Sequence, residues 1–207
     1  MSAESPRFQL PLIAILRGIR AQEALEHIGV LVEEGYDAIE VPLNSPDWER
    51  SIGSAVRAFG ETAWIGGGTV LRSADADTLA GLGARLMITP NTNPAVIRHA
   101  VSQGLAIAAG FATASEAFAA LDAGAQMLKL FPASTYGLQH VRALRAVLPA
   151  VPLFAVGGVT PLSLPEFLSA GCTGAGIGGE LYRPGQSPSR TRESARAFKQ
   201  AYVEYMS

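Results

Sequence analysis

Cysteine is nearly absent from these 207 residues: Cys172 stands alone, so no internal disulfide can form, as befits a reducing compartment. Its expected place is that of a small buried apolar side chain near a strand. Charge is also scarce, at 16% of residues, and the net charge of −2 comes with no basic cluster to release counterions from a nucleic acid. A nucleic-acid partner is therefore not expected. The longest early apolar run, residues 10–16, is far too short to cross a bilayer, and the opening MSAESPRFQL lacks the basic-then-apolar pattern of a leader. These features imply no membrane association and a cytoplasmic location. Histidine occurs only at positions 27, 99 and 140, each in a helical stretch away from any strand end, where packing or surface roles are expected. Without a cluster of histidines and carboxylates, neither a catalytic transition metal nor a cofactor is expected. What the chain does have is apolar surface: 48% hydrophobic residues suffice for one substantial core and exclude disorder.

Short apolar or β-branched runs alternate with longer stretches whose apolar residues recur three and four apart. The pattern repeats eight times, with strands predicted at 11–18, 38–44, 63–71, 86–91, 106–113, 127–133, 153–160 and 174–182. Helices are expected to begin near Ala21, Pro46, Ser73, Asn93, Ser115, Tyr136, Leu162 and Arg190, with capping by Ser73, Asn93 and Ser115. Gly35, Gly83, Gly104, Gly124 and Gly171 each precede a strand and read as left-handed helix terminators. Strand, helix, glycine, strand is the grammar of parallel βαβ units. Eight such units with no linker between them predict an α/β protein of one domain over 1–207, a closed (β/α)8 TIM barrel. A doubly wound open sheet is the alternative, but it requires a topological switch point that the even repeat does not suggest.

In such a barrel, chemistry belongs at the C-terminal ends of the strands. Only two lysines accompany fourteen arginines, and Lys129 lies inside the strand-like run MLKLF. Alternation sets Leu128 and Leu130 on one face and Met127, Lys129 and Phe131 on the other, so the amine points into the barrel if the leucines meet the helices. The same pattern turns Glu40 inward on the second strand, between Ile39 and Val41. Both residues follow their terminating glycine by five positions, and strands two and six face each other across an eight-strand ring. The bland possibility is a buried ion pair that merely fills the barrel, but charge pairs are poor stabilisers. The chemical reading is that burial yields a neutral amine able to attack a ketone, with the acid as a proton shuttle. Lys199, in an amphipathic terminal helix, is expected to be a solvated surface charge.

Gly157-Gly158 and Gly178-Gly179 follow the seventh and eighth strands, where barrels commonly bind phosphate through unobstructed backbone N–H groups. Tight turns use the same residues. The string GAGIGG lacks the following strand and acidic partner of a dinucleotide fingerprint. Arg17 could clamp a carboxylate, and Thr69, after Gly66-Gly67-Gly68, could donate a hydroxyl; a surface charge and a strand bulge are the structural alternatives.

The segments IEVPLNSP, GGGTVL, ITPN, KLFPAS and AVGGVTP, in this order along essentially the whole chain, resemble the 2-keto-3-deoxy-6-phosphogluconate/galactonate aldolases. The resemblance implies a class I, Schiff-base aldolase on a TIM barrel, usually a homotrimer, that yields pyruvate and D-glyceraldehyde 3-phosphate. It makes Lys129 the Schiff-base residue and Glu40 the general acid/base. It places Arg17, Thr69, Pro90, Phe131, Val156, Gly157, Gly158, Gly178 and Gly179 about the substrate. LPLIAILRGI and PLNSP look most like the galactonate branch, which implies 2-dehydro-3-deoxy-6-phospho-D-galactonate as substrate. Two departures from the gluconate pattern agree: Asn44 stands in place of an arginine, whose carboxylate contact Arg17 can replace, and Val156 stands in place of a threonine. A serine expected at or next to Gly179 is missing, and Glu180 follows, so its carboxylate is expected to point away from the phosphate. The alternatives are a gluconate-specific or dual-specificity aldolase, a barrel sugar-phosphate isomerase or epimerase with Glu40 as base, and a non-catalytic sugar-phosphate binder.

Overall fold

The computed structural model describes residues 6–207; the first half of the opening read for a leader, residues 1–5, lies outside them. Eight strands alternate with eight helices in the order β1 (Leu12–Ile15), α1 (Ala21–Glu33), β2 (Ala38–Pro42), α2 (Trp48–Phe59), β3 (Trp64–Gly68), α3 (Ser73–Gly81), β4 (Leu86–Ile88), α4 (Pro94–Ser102), β5 (Ala106–Phe111), α5 (Ala114–Asp122), β6 (Met127–Leu130), α6 (Ala133–Arg145), β7 (Leu153–Val156), α7 (Leu164–Ser169), β8 (Gly174–Ile177) and α8 (Pro188–Met206). Each strand pairs in parallel with the next, and β8 pairs with β1, closing the barrel. The predicted (β/α)8 architecture holds, and the open sheet is excluded.

The alternation read from the sequence separates two cores. Leu128, Leu130, Ile39 and Val41 pack outward under the helices. Ile13, Ile15, Ala38, Leu86, Ile88, Met127, Phe154 and Val156 fill the barrel itself. All five glycines expected to end helices have left-handed backbones, from φ +78° at Gly83 to φ +115° at Gly171, which a Cβ would strain. Cys172 is buried. Among the described residues no helix is long and apolar enough to cross a membrane.

Several boundaries differ from expectation. The strands are shorter than predicted because glycine- and proline-rich turns claim their C-terminal residues; β4 is only three residues long. Asn93 caps α4 as expected, its Oδ1 accepting from the Ala95 and Val96 amides. The other two caps move. Thr113, not Ser115, caps α5 in a reciprocal box with Glu116, and Arg72 precedes α3, where it pairs with Asp75 at 2.9 Å. Helix α6 has an additional first turn from Ala133, and the break at Gly137, with φ 74° and ψ 178°, means that its longer segment starts close to the expected position near Tyr136. Lys199 is also corrected: its Nζ donates to the Glu34 carbonyl at 2.9 Å, satisfying a C-terminal carbonyl of α1.

Candidate active site

Glu40 and Lys129 are both buried inside the barrel, at 2% and 6% exposure. In register, Glu40 lies between Ile15 and Gly66, and Lys129 between Gly110 and Phe154. Each flank therefore has one bulky wall and one glycine, which leaves lateral room for a polar side chain. Across the barrel the two do not make an ion pair: Glu40 Oε2 is buried with no hydrogen-bond partner. The filler reading needs a satisfied pair, so an acid and an amine held apart over a shared interior fit it poorly.

Electrostatics drives both groups toward neutrality. Burial pushes the Lys129 amine below its ordinary value; Glu40 opposes this and the Arg17 charge adds to it. Burial likewise raises the Glu40 carboxyl, against the pull of Lys129 and Arg17. Both shifts run toward a neutral, nucleophilic amine and a protonated carboxyl, the forms that carbonyl addition and loss of water require. The Lys129 nitrogen lies 5.2 Å from the Phe131 ring centroid, so that ring covers the amine on the solvent side.

A cavity of about 320 Å³ opens at the C-terminal mouth, on the β6, β7, β8 and β1 side. Seven residues expected about the substrate line it: Arg17, Phe131, Val156, Gly157, Gly158, Gly178 and Gly179. Gly157 and Gly158 adopt φ +94° and +75°, and the latter passes so close to Ser134 that a Cβ would come within 2.4 Å of its Oγ. Their amides can thus turn toward an anion in a turn only glycine adopts cheaply. Ile15, Val159 and Gly176 also line the cavity, and strand alternation could have indicated Ile15. Arg17 Nη1 donates to Asn44 Oδ1 at 3.4 Å, which places the guanidinium beside the position of the missing arginine. Glu180 contributes to the cavity rim, yet its carboxylate meets Arg183 at 3.5 Å, which offsets its charge.

Two expected residues lie elsewhere. Thr69 borders a separate open groove, with Asn44 and Trp48, instead of the cavity. Its backbone at φ 58° is left-handed, a strained state for a β-branched residue. Pro90 supports the site from behind: a Cβ at Gly110, the register neighbour of Lys129, would approach the Pro90 carbonyl carbon to 2.3 Å.

A closed parallel barrel with an amine and an acid buried beneath a glycine-lined mouth has the form of a barrel aldolase. The comparisons with known proteins agree. The chain belongs to the family described as KDPG and KHG aldolase, whose model matches residues 5–188. It is 55% identical over 197 residues, covering 95% of this chain and 96% of the relative, to the 2-dehydro-3-deoxy-6-phosphogalactonate aldolase of Escherichia coli strain K12. It is 31% identical, over 84% of this chain and 85% of the relative, to a 2-dehydro-3-deoxy-phosphogluconate aldolase of Zymomonas mobilis. A solved structure described as native KDPGal superposes with a TM-score of 0.96 at 53% identity, covering 98% of each chain.

Proposed function

We propose that this enzyme cleaves 2-dehydro-3-deoxy-6-phospho-D-galactonate to pyruvate and D-glyceraldehyde 3-phosphate through a Schiff base on Lys129. The observation that carries the reading is that Lys129 and Glu40 are buried inside the barrel without an ion pair, not in the cavity lining itself but next to it, through Phe131 and Ile15. Neutral Lys129 adds to C2 of the keto acid. Protonated Glu40 gives its proton to the resulting hydroxyl, water leaves, and the iminium and the Glu40 carboxylate remain. The carboxylate then takes the C4 hydroxyl proton as the C3–C4 bond breaks into the iminium, releasing the aldehyde and an enamine. Glu40 returns the proton to C3, and water adds to the iminium to free pyruvate and the amine. Arg17 holds the substrate carboxylate, and the amides of Gly157, Gly158, Gly178 and Gly179 hold the phosphate; Thr69, on its separate groove, has no part in this arrangement.

The galactonate epimer is favoured by the higher identity to the galactonate-acting relative and by Val156 in the cavity wall, which offers a methyl where a hydroxyl would form a different contact. The family resemblance adds a homotrimer in the cytoplasm that works without a cofactor. Borohydride reduction in the presence of pyruvate, followed by peptide mass spectrometry, is expected to label Lys129, and a coupled pyruvate assay is expected to favour the galactonate epimer over its C4 epimer. A label on Lys199, or none, removes the Schiff-base reading; preference for the gluconate epimer overturns the substrate.

A further inference from the structure

We infer that Gly68 is a positioning residue for the Glu40 carboxyl: its missing side chain is the slot in which that carboxyl rests. The three consecutive glycines at the end of β3 have three different physical reasons. A Cβ on Gly66 would lie 1.7 Å from the Leu86 carbonyl oxygen, a backbone collision with β4. On Gly67 it would meet the side chains of Leu43 and Leu79 at 2.7 Å, outside the barrel. On Gly68 its three nearest atoms would all belong to Glu40, with Oε2 at 1.1 Å, Cδ at 2.3 Å and Oε1 at 3.0 Å. The Gly68 backbone is not left-handed, so conformational freedom does not explain the glycine.

The slot matters because no hydrogen bond from the described residues holds the oxygen in place. Oε2 has no hydrogen-bond partner, so the walls of the slot take over the orienting role that a hydrogen bond ordinarily fills. Real Cβ atoms do not approach other atoms within 3.0 Å, so a methyl group at Gly68 must displace Oε2. The displacement is about 2 Å, and misplacement of a reacting group by roughly 1 Å can cost a hundredfold in rate. The inference rests on the proton-shuttle reading of Glu40.

The test follows deuterium entering the pyruvate methyl group in D2O by NMR, which reads proton transfer to and from the enamine, alongside borohydride trapping and thermal midpoints. Gly68→Ala is expected to lose exchange by about a hundredfold or more while still trapping pyruvate on Lys129. Glu40→Asp withdraws the carboxyl from the slot, so adding Gly68→Ala to that background should cost less than about threefold. Exchange by Gly68→Ala within about threefold of the parent, or the same loss in both backgrounds, overturns the inference. If Gly68→Ala fails to fold, the Glu40→Ala background decides. A double variant that folds with a midpoint no lower than Glu40→Ala supports the slot, and one that unfolds assigns the glycine to the fold. Glu40→Gln separates the two readings. Intact exchange there removes the shuttle itself, whereas lost exchange there with intact exchange in Gly68→Ala removes only the positioning role.

Discussion

A buried carboxyl with an unpartnered oxygen has a cost for folding that grows with pH. Burial raises the folded-state value of Glu40 above its ordinary 4.5, so the folded chain binds this proton more tightly than the unfolded chain does. At a pH below the ordinary value both states are protonated and the group is neutral toward stability. As pH rises, the unfolded chain releases the proton first, and the folded state is progressively disfavoured until it ionises too. Glu40→Gln removes this burden. The variant is expected to be nearly as stable as the parent at pH 4.5 and more stable at pH 7, with a gap in thermal midpoint that widens between them. Scanning calorimetry across that range checks the claim, and a gap independent of pH would count against Glu40 being held neutral. Stability given up at a catalytic position is a common exchange for reactivity.

At the scale of elements, the turn after β8 shows how a phosphate-type loop is kept in shape. Gln186 Nε2 donates to the Leu181 carbonyl and to Thr191 Oγ1, both at 2.8 Å, and its Oε1 accepts from the Arg183 amide at 3.1 Å. Thr191 in turn meets His27 Nδ1 at 2.8 Å, and the Tyr182 hydroxyl donates to Glu23 Oε1 at 2.7 Å. The turn that presents Gly178 and Gly179 is thus tied to α1 and α8. Gln186→Ala leaves the Leu181 carbonyl and the Arg183 amide without these partners, a loss of about 1–2 kcal/mol. Steady-state kinetics should show KM for the phosphorylated substrate rising about tenfold with kcat little changed. The dephosphorylated substrate should be cleaved at the parental rate; an equal loss on both would mean that the loop does not serve the phosphate.

The same element shows what could be read in advance. Adjacent Gly-Gly pairs are visible in a string because they depend on local backbone chemistry, as are the terminating glycines and the inward faces of β2 and β6. Gln186 was not legible although its partners Leu181, Arg183 and Thr191 are local, because a side-chain amide leaves no spacing pattern in a string and the link onward from Thr191 to His27 is a tertiary one. The reason for Gly68 is likewise a cross-strand volume, and the placement of Thr69 on a neighbouring groove depends on a strained dihedral. Ser115 and Thr113 are both capping residue types, and a sequence names such types but not the residue at which helical dihedrals begin, here after Thr113.

The whole molecule divides its functions between the two ends of the barrel. The C-terminal mouth holds the polar pair and the cavity, whereas the opposite end is closed by aromatic packing. The Phe8 ring lies 6.4 Å from Trp64 and 6.0 Å from Phe154, centroid to centroid. Arg85 stacks over Trp64 at 4.6 Å while its Nη2 donates to the Gly60 and Ala63 carbonyls at 2.6 and 3.0 Å. This packing covers the lower end of the barrel, below the level of the amine and the acid. Removing a half-buried phenyl ring forfeits transfer energy and leaves a void, at a cost of about 2–3 kcal/mol, below the range for a fully buried one. Phe8→Ala is therefore expected to lower the thermal midpoint by roughly 5–10 °C. Because Phe8 itself is neither a register neighbour of Lys129 nor part of the cavity lining, and reaches the site only through Phe154, kcat at 25 °C should stay within about twofold of the parent. A kcat that falls in step with the midpoint, measured well below the transition, would mean that water entering from below reaches the Lys129 amine and that the two ends are not independent.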